Sequence, residues 1–513
     1  MAVVGAGPVG LTLAARLAQL GVQVTLLERN PRHLGEGSKA LCMQRETLEI
    51  WSRIGIGERV ATRGVQWRVG RTYYGTRELF SVELPGTTAD HFPPFVNISQ
   101  TEVEELLLDR CRDLGVDMRW GQRLEGLTDE GHGVRLAVAT NSGRAELTAR
   151  YVVGTDGAHS TVRDLLGLGF PGHTHDDHFL ICDIRAHLPF PNERRFFFDP
   201  PWNPGRQVLI HPQPDDTWRI DWQISPDTDM DKERASGGLD RRIRAVIGPT
   251  TEYELAWMTV YRFHQRLAEH FRRGNVLLAG DAAHLFAPFG ARGLNSGAAD
   301  AENLAWKLAM VLGGQAPEGL LDTYEAERRP AAEENLAVTD ATMRFMAPNR
   351  AWQRLWRNLV LRGSTRFGAL RKRVNSGRLA EPFPYAGSPI VESGPEAPPL
   401  PRHGSVAPDV RLTDGTRLKD RFGSAFVVLL AEVSPAVAAA ARDASFPVPA
   451  EVVTDDALHG VYGSAGPRAW IVRPDGHIAS SLELTQREDA MDLARLAGMV
   501  GRAAGRGRGS APG

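Results

Sequence analysis

The spacing of apolar residues changes twice near the start of the chain. Val3 and Val4 are consecutive and indicate the end of a short buried strand. A helix is predicted next and ends at Gly21, because apolar residues recur near helical spacing at Leu11, Leu13, Ala14, Leu17 and Leu20. A second predicted strand ends at Glu28 and has apolar residues at Val22, Val24, Leu26 and Leu27. The order strand, helix, strand predicts an α/β unit.

The connection between the first strand and the helix is the glycine motif Gly5-Ala6-Gly7-Pro8-Val9-Gly10. In a dinucleotide-binding turn, Gly5 permits the tight bend, Gly7 lets the backbone approach a pyrophosphate, and Gly10 lets the helix pack on the strand. The free amides and the dipole of the helix N-terminus favour the same negative charge. Glu28 lies 18 residues after Gly10, where an acid can bind both hydroxyls of an adenosine ribose. An ordinary glycine turn is the alternative, and this context makes it less favourable.

Two further strand-to-loop motifs lie later in the chain. The apolar run at 275–279 predicts a buried strand that ends in Gly280-Asp281-Ala282-Ala283-His284. The run at 151–153 precedes Gly154-Thr155-Asp156-Gly157 in the same way. Each motif alone fits a polar turn, but three in this order predict one nucleotide site. We interpret His284 as a structural hydrogen-bonding residue rather than a base.

The segment Pro288-Phe289-Gly290-Ala291-Arg292-Gly293-Leu294-Asn295 has the glycines of a loop that enters a helix. The predicted helix runs to Leu312. Its N-terminus, at Leu294 and Asn295, would offer backbone amides to an electron-rich carbonyl group.

The pattern differs in residues 66–96 and 164–268, which are rich in aromatic residues, prolines and alternating positions. We predict an antiparallel sheet here, inserted into a domain formed by 1–65, 97–163 and 269–345. Such a sheet would roof a pocket at the domain junction. Trp218, Trp222 and the aromatic run at 196–198 are interpreted mainly as core and sheet surface.

The C-terminal third divides into four segments. A helical segment is predicted at 346–374, a proline- and glycine-rich linker at 375–410, a smaller α/β unit at 411–500 and a disordered tail at 501–513. The helical segment is amphipathic, and we expect its apolar residues to pack on the first domain while Arg350, Arg354, Arg357 and Arg362 face solvent. A membrane-surface role is the alternative. The smaller unit contains no cysteine, which excludes dithiol chemistry there.

The amino-acid composition limits which kinds of binding partner and which cellular environment are expected. The 513 residues include 42% hydrophobic and 24% charged residues with a formal net charge of −2, which predicts no steering towards nucleic acid or an anionic membrane. The three cysteines, Cys42, Cys111 and Cys182, are far apart, so neither a disulfide framework nor a metal site is expected, and a reducing cytoplasm fits. We expect neither a transmembrane helix nor a signal peptide.

With these motifs, residues 1–345 resemble the FAD-dependent aromatic hydroxylases of the para-hydroxybenzoate hydroxylase fold, which are class A flavoprotein monooxygenases. The motif Tyr324-Glu325-Ala326-Glu327-Arg328-Arg329-Pro330 matches the family's helix after the flavin domain. The resemblance is closest to longer members that act on 3-(3-hydroxyphenyl)propionate, resorcinol-like phenols or polyketide phenols. It implies an α/β fold with a Rossmann-like FAD-binding domain, an inserted antiparallel-sheet substrate domain and a thioredoxin-like C-terminal domain.

The resemblance also implies roles for individual residues. Glu28 would bind the adenosine ribose, Lys39 the pyrophosphate and Asp281 the ribityl chain. Leu294 and Asn295 would contact the isoalloxazine, and the catalytic candidates Pro288 and Arg219 would lie near its reactive end. The remaining cofactor-binding candidates are Gly5, Gly7, Gly10, Arg29, Gln100, Asp156, Gly157, Gly280 and Gly293. Relatives often have Arg-Thr-Leu-Glu where this chain has Arg45-Glu46-Thr47-Leu48-Glu49, which moves the basic charge to Arg45.

The implied reaction is the NAD(P)H-consuming hydroxylation of a small phenolic or polyketide aromatic substrate by O2 through a flavin C4a-hydroperoxide. NADH or NADPH would bind transiently with help from the loop at 156–157 and from Arg163. A base should deprotonate the phenol, and His211, Tyr261 and His264 are candidates among which the sequence does not choose. A homodimer is kept open.

Three other functions stay as alternatives: a flavoprotein oxidase, an antibiotic-modifying monooxygenase and a non-catalytic FAD-dependent binding protein. A flavin-dependent halogenase is disfavoured, because residues 218–224 do not supply its Trp-x-Trp-x-Ile-Pro segment. A simple NAD dehydrogenase would lack Gly280-Asp281.

Overall fold

Five sheets organise the part of the chain that the structure describes. This computed structural model covers residues 1–35, 40–84, 91–288, 290–346, 351–363, 381–393, 401–463, 466–484 and 490–506. Its strands in chain order are β1 Ala2–Val4, β2 Thr25–Glu28, β3 Cys42–Gln44, β4 Val65–Trp67, β5 Val69–Tyr74, β6 Arg77–Glu83, β7 Phe95–Asn97, β8 Asp117–Trp120, β9 Arg123–Asp129, β10 Val134–Thr140, β11 Gly143–Ala149, β12 Val152–Gly154, β13 Gly172–Arg185, β14 Arg194–Phe198, β15 Gln207–Pro212, β16 Thr217–Ile224, β17 Glu254–Leu267, β18 Arg272–Arg273, β19 Val276–Leu278, β20 His284–Leu285, β21 Phe426–Ala431, β22 Ala450–Thr454, β23 Arg468–Val472 and β24 Ile478–Glu483.

The helices connect and cover these sheets. In chain order they are α1 Pro8–Gln19, α2 Arg45–Arg53, α3 Gly57–Arg63, α4 Gln100–Asp113, α5 Thr161–Leu165, α6 Met230–Ala235, α7 Gly238–Ile247, α8 Arg292–Leu312, α9 Asp322–Met346, α10 Ala351–Gly363, α11 Pro435–Asp443, α12 His459–Tyr462 and α13 Ala490–Ala503.

A six-stranded sheet in the order β18-β19-β12-β1-β2-β8 forms the centre of the first domain. β1 runs parallel to β2 and β12, and β12 runs parallel to β19. Because parallel strands end at one edge of a sheet, the three predicted motifs that follow β1, β12 and β19 meet there. The α/β fold expected for this domain is therefore confirmed. α1 begins at Pro8 rather than Leu11, since a proline fits the first helical position.

An eight-stranded sheet in the order β20-β17-β13-β16-β15-β14-β5-β6 forms the second layer. It is antiparallel except for the pair β5 and β14, and it combines strands from both inserted segments. Its outer face carries Trp218, Ile220 and Trp222, which are buried against Leu239 and Ile243 of α7. These two tryptophans are core residues, as expected.

The C-terminal unit has a four-stranded sheet in the order β22-β21-β23-β24, covered by α11 and α13. α13 reaches Ala503, so the disordered tail expected from residue 501 is wrong for residues 501–503, and residues 507–513 lie outside the described part. The expected linker is packed where it is described, because Tyr385, Ile390 and Val391 are buried.

A buried ionic cluster joins this unit to the first domain. Arg473, just after β23, donates from Nη1 and Nη2 to Glu327 Oε1 and Oε2 of α9 at 2.6 and 2.9 Å. Lys307 of α8 donates from Nζ to Glu327 Oε2 at 2.7 Å, and Arg473 also pairs with Asp475 at 2.5 Å. Two cations face two carboxylates, so the charges balance inside the interface.

α10 is oriented against expectation. Its apolar residues Trp352, Leu355, Trp356 and Leu359 are exposed. Arg357 is buried instead: its Nη1 donates to Met346 O at 3.0 Å and its guanidinium lies 5.6 Å from the Phe198 ring centroid. The expectation that this arginine faces solvent is wrong, because the end of α9 and an aromatic ring satisfy it. No helix among the described residues is long and apolar enough to cross a membrane.

Candidate active site

One cleft of about 580 Å³ lies between the edge of the central sheet, the start of α8 and the eight-stranded sheet. It collects most of the residues predicted for the site: Gly5, Gly7, Glu28, Arg29, Gln100, Asp156, Gly157, Arg219, Asp281, Pro288, Gly293, Leu294 and Asn295. Gly10 and Gly280 do not line it and act in packing behind its wall. Lys39 lies outside the described residues. Arg45 does not line the cleft and donates from Nε to Phe92 O at 2.9 Å.

The glycine turn explains why each glycine is required. Gly5 has φ +105°, and a Cβ there would lie 2.6 Å from Thr155 O. A Cβ on Gly10 would lie 2.0 Å from Gly5 O, so the start of α1 packs directly on the turn. A Cβ on Gly7 would meet nothing within 4 Å, and this face of the turn is open to the cleft. The turn therefore leaves room for a phosphate against the first amides of α1.

Glu28 lines the cleft at the end that is formed by the glycine turn. Its Oε2 accepts from Ala6 N–H and its Oε1 from Asn30 N–H, each at 2.9 Å. These bonds hold the carboxylate beside the glycine turn. Each oxygen keeps a lone pair that a hydroxyl of a ribose could use.

Asp156 has a structural role at the cleft wall. Its Oδ1 accepts from Ser160 Oγ at 2.5 Å and its Oδ2 from Val162 N–H at 3.1 Å, which ties it to the first turn of α5. Burial raises the pKa of this carboxyl.

Arg163, on the same turn of α5, is engaged inside the protein. It is buried and donates to Ala282 O and Ala158 O, both at 3.1 Å. Its guanidinium also stacks 3.9 Å from the Phe170 ring centroid. The role of Arg163 towards NAD(P)H stays a prediction, and in this structure its donors link two of the motifs.

The start of α8 presents backbone amides to the cleft. Ala291, the residue before the helix, has the left-handed conformation φ 53°, ψ 45°. The amides of Arg292, Gly293 and Leu294 have no acceptor within the helix, and all three residues line the cleft. They suit an electron-rich carbonyl group, as the sequence predicts.

The Asn295 side chain acts as a bracket rather than a ligand contact. Its Oδ1 accepts from Gln44 N–H at 2.9 Å and from Thr47 Oγ1 at 2.7 Å. Its Nδ2 donates to Cys42 O at 2.9 Å and to Ala291 O at 2.5 Å. The amide group is used within the protein, so a cofactor contact at this position falls to the main chain.

A buried triad holds the Gly280-Asp281 turn. Asp300 Oδ2 accepts from Gly280 N–H at 3.0 Å and pairs with His284 Nε2 at 2.6 Å, while its Oδ1 accepts from Arg328 Nε at 2.7 Å. Burial alone would raise the pKa of Asp300, but His284 and Arg328 outweigh burial and lower it. His284 is thus a structural residue, as interpreted from the sequence. Sequence reasoning did not find Asp300 or its role.

The inner face of the eight-stranded sheet covers the cleft, and we call it the roof face. Its aromatic part is Phe179, Phe196, Trp257, Tyr261 and Phe263, and its polar part is Asp183, Arg194, His211, Arg219 and Asp221. Arg219 Nε and Nη2 donate to Asp183 Oδ1 and Oδ2 at 2.8 and 2.7 Å, so this pair is bidentate and buried. The roof predicted from the sequence is present, but Asp183, Arg194 and Asp221 were missed. Their signal was the alternation along β13, β14 and β16, which places Asp183, Arg194 and Asp221 on the face of Arg219.

The three residues that the sequence offered as the base differ in their position relative to the cleft and in the direction of their pKa shifts. His211 lines the cleft, but burial, with Arg194 and Arg219, holds its pKa well below the usual value, so it is neutral. Tyr261 also lines the cleft, and burial raises its pKa. His264 does not line it and bonds through Nδ1 to Thr174 Oγ1 at 2.8 Å.

Potential metal ligands lie together elsewhere in the described part of the chain. His173, His175 and Asp340 have ligand atoms within 4.8 Å of one another, and none of the three residues lines the cleft.

Family models match the first part of the chain and the C-terminal unit separately. A family model described as an FAD binding domain matches residues 1–339, and one described as the C-terminal part of aromatic-ring hydroxylases matches residues 400–506. A flavin-dependent monooxygenase of Mycobacteroides abscessus is 31% identical over 94% of this chain and 96% of its own. The 12-dehydrotetracycline 5-monooxygenase/anhydrotetracycline 6-monooxygenase of Streptomyces rimosus is 33% identical over 93% and 94%.

Solved structures match over nearly the whole chain. Aklavinone-11 hydroxylase in complex with FAD and aklavinone has a TM-score of 0.80 and 27% identity, covering 98% of both chains. The rebeccamycin biosynthetic enzyme RebC with reduced flavin has a TM-score of 0.75 and 26% identity, also covering 98% of both. The likeness therefore includes the cleft and the C-terminal unit.

Proposed function

The chain belongs to the family of FAD-dependent aromatic-ring hydroxylases, and we propose that it uses NAD(P)H and O2 to hydroxylate a phenolic or polyketide aromatic substrate. The observation that supports this most directly is the roof face, which lays aromatic and polar side chains over the same cleft that the glycine turn and α8 enter. A planar ring fits between such a sheet and a flavin, and the cleft has the size of ordinary ligand sites.

The residues present fit FAD along the length of the cleft. Glu28 would bind the adenosine ribose, the turn at Gly7 the pyrophosphate, and Asp281 the ribityl chain. The amides at the start of α8 would face the carbonyl groups of the ring system. When bound, FAD accepts reducing equivalents from NAD(P)H and activates O2.

The protein's own part is to hold the substrate and exclude water. Phe179, Phe196 and Phe263 would contact the flat apolar part of the substrate, and the polar part of the roof face would receive its hydroxyl or carbonyl groups. Pro288 borders the cleft beside the start of α8. A closed, mostly apolar site protects a reactive oxygen species from water.

The experiment is to add NADH or NADPH to the FAD-loaded protein under air and follow nicotinamide absorbance with a panel of phenols. The panel should include simple phenols, phenols with a carboxylate chain and polycyclic phenols. We expect at least one class to stimulate oxidation and to yield a product that contains oxygen from isotopically labelled O2. Peroxide without a hydroxylated product would indicate an oxidase, and FAD binding without stimulated oxidation would indicate a binding protein.

The cytoplasm is the compartment that this chemistry favours, because it supplies NAD(P)H and keeps cysteines reduced. A homodimer is tested by light scattering after size-exclusion chromatography of the FAD-loaded protein, which reports its mass directly.

A further inference from the structure

Two polar side chains on the roof face lack a partner for their charge. Asp221 Oδ1 is shielded from solvent and has no hydrogen-bond partner among the described residues. Arg194 lies 5.4 Å from the Phe196 ring centroid, and no described carboxylate pairs with it. Both residues line the cleft. Polar groups shielded from solvent are normally paired, so an unpaired carboxylate and an unpaired guanidinium facing one cavity indicate groups on a ligand.

The strand register shows why Asp221 differs from its neighbours. Across the sheet, Asp221 lies opposite Ile181 of β13 and Leu209 of β15, and Leu209 lies opposite Phe196 of β14. Asp221 is therefore an acid in an apolar row. The next row holds Arg219, which is opposite both Asp183 and His211. Because Arg219 is taken by Asp183 in a bidentate pair, Asp221 is left without a donor.

The charged and titratable groups around Asp221 are otherwise in fixed states. Burial raises the pKa of Cys42 on β3 to about 12, so it is a thiol, and it raises the pKa of Tyr261 on β17. His211 on β15 is neutral. Burial lowers the pKa of Arg194 on β14, but a guanidinium stays charged in a protein. Burial also raises the pKa of Asp221 to about 7, with Arg219 lowering it and Asp183 raising it. Asp221 is thus the group of this set that titrates near neutral pH, where a general base is most effective.

We propose that Asp221 is the general base that deprotonates the substrate's phenolic hydroxyl and that Arg194 is the counter-ion of the oxyanion produced, which rests on the proposed hydroxylation. The phenolic O–H bond breaks, an O–H bond forms on a carboxylate oxygen of Asp221, and the electron pair stays on the phenolate oxygen. Arg194 then balances that charge inside the cleft. The phenolate makes the ring a better nucleophile for oxygen transfer. The substrate class is narrowed to phenols or enols whose acidic hydroxyl reaches the polar part of the roof face.

The first test is Asp221→Asn, which keeps the size of the side chain and removes its basicity. With phenols that are neutral at the assay pH, we expect kcat/KM to fall by about a hundredfold or more, as for loss of a general base. The wild-type rise in rate as pH increases through about 7 should disappear, because the carboxylate forms only above that pH. With phenols acidic enough to be ionised already, the variant should approach the wild type.

Asp227→Asn is the matched control, because this residue is exposed just after β16 and does not line the cleft. It should keep the wild-type pH profile. An Asp221→Asn variant that holds FAD and keeps both the pH dependence and the dependence on phenol acidity would overturn the proposal.

A second test uses the unaltered FAD-loaded protein. A nitrophenol changes its absorption spectrum when it ionises, so its state in the cleft is visible by difference spectroscopy. We expect it to bind as the phenolate at a pH where the free compound is mostly neutral, and Arg194→Gln should weaken binding of the anion by about tenfold or more. Binding as the neutral phenol would overturn the proposal. Failure of the proposed function is distinguishable, because then no phenol stimulates NAD(P)H oxidation by the wild type.

Discussion

Removal of one carboxylate, in Glu28→Ala, tests how the cleft holds its cofactor. Glu28 accepts from Ala6 N–H and Asn30 N–H at 2.9 Å each and would also accept from ribose hydroxyls. A hydrogen bond to a charged group contributes about 1.5–3 kcal/mol. Loss of one such bond to FAD raises Kd about tenfold to 150-fold. We expect the upper half of this range, because Ala6 belongs to the glycine turn and that turn loses its acceptor as well.

The measurement is a titration of apoprotein with FAD, followed by quenching of flavin fluorescence. Glu28→Gln keeps the shape and one acceptor oxygen, so its Kd should lie between those of Glu28→Ala and the wild type. Glu146→Ala removes an exposed carboxylate on β11 and should leave Kd unchanged. A Kd for Glu28→Ala within about twofold of the wild type, under 0.5 kcal/mol, would refute the assignment.

Three further predictions concern the bracket, the cleft wall and the domain interface. Asn295→Ala breaks four hydrogen bonds of about 1 kcal/mol each, so urea unfolding should show a loss of about 3–5 kcal/mol, and a loss under about 1 kcal/mol would mean the bracket is dispensable. Pro288→Ala should keep FAD bound but yield less product and more peroxide per NAD(P)H consumed, because it opens a wall that excludes water; unchanged coupling would place Pro288 away from the chemistry. Burial alone would raise the pKa of Glu327, but Arg473 and Lys307 lower it to about 2. The stability it contributes is therefore complete above the ordinary carboxyl pKa of about 4.3 and is lost as pH falls towards 2. Acid unfolding followed by tryptophan fluorescence should show this loss, and Glu327→Gln should remove it; equal acid profiles would contradict the cluster's role.

The nucleotide end of the cleft could be predicted because its signals are local. Gly5, Gly7 and Glu28 act through the backbone of one βα turn and the strand that follows, and residues so close in sequence keep their spacing in the fold. The structure adds what binds Glu28 in place, the amides of Ala6 and Asn30. These contacts come from backbone N–H groups, which every residue except proline has. The residue types in the sequence therefore could not predict which amides bind Glu28.

The sequence predicted that the roof face is a sheet, but it did not predict which of its side chains pair with one another. Asp183 and Arg219 are 36 positions apart and meet only because β13 and β16 pair in one register. Without that register, Arg219 could be placed only near the reactive end of the flavin, with no partner named for it. Asp221, two positions along, had no feature that set it apart from other polar residues of the strand. Register depends on the whole sheet, so single-sequence patterning cannot supply it.

α10 shows a different limit. Its amphipathic pattern was real, but the pattern does not say which face meets the protein. Arg357 is buried because Met346 O at the end of the preceding helix, α9, and the Phe198 ring on the distant strand β14 are both available to it. A guanidinium with such partners can replace an apolar residue in an interface.

The buried cluster of Glu327, Lys307, Arg473 and Asp475 has a consequence for building chimaeras. Two of its charges belong to the first domain and two to the C-terminal unit. A C-terminal unit grafted from a relative with other residues at 473 and 475 would leave Glu327 and Lys307 facing mismatched charges in a dry interface, at a penalty of about 3–5 kcal/mol for a broken pair. The first domain and the C-terminal unit should therefore be exchanged between relatives together. A chimaera should fold well only when all four residues of the cluster come from the same parent.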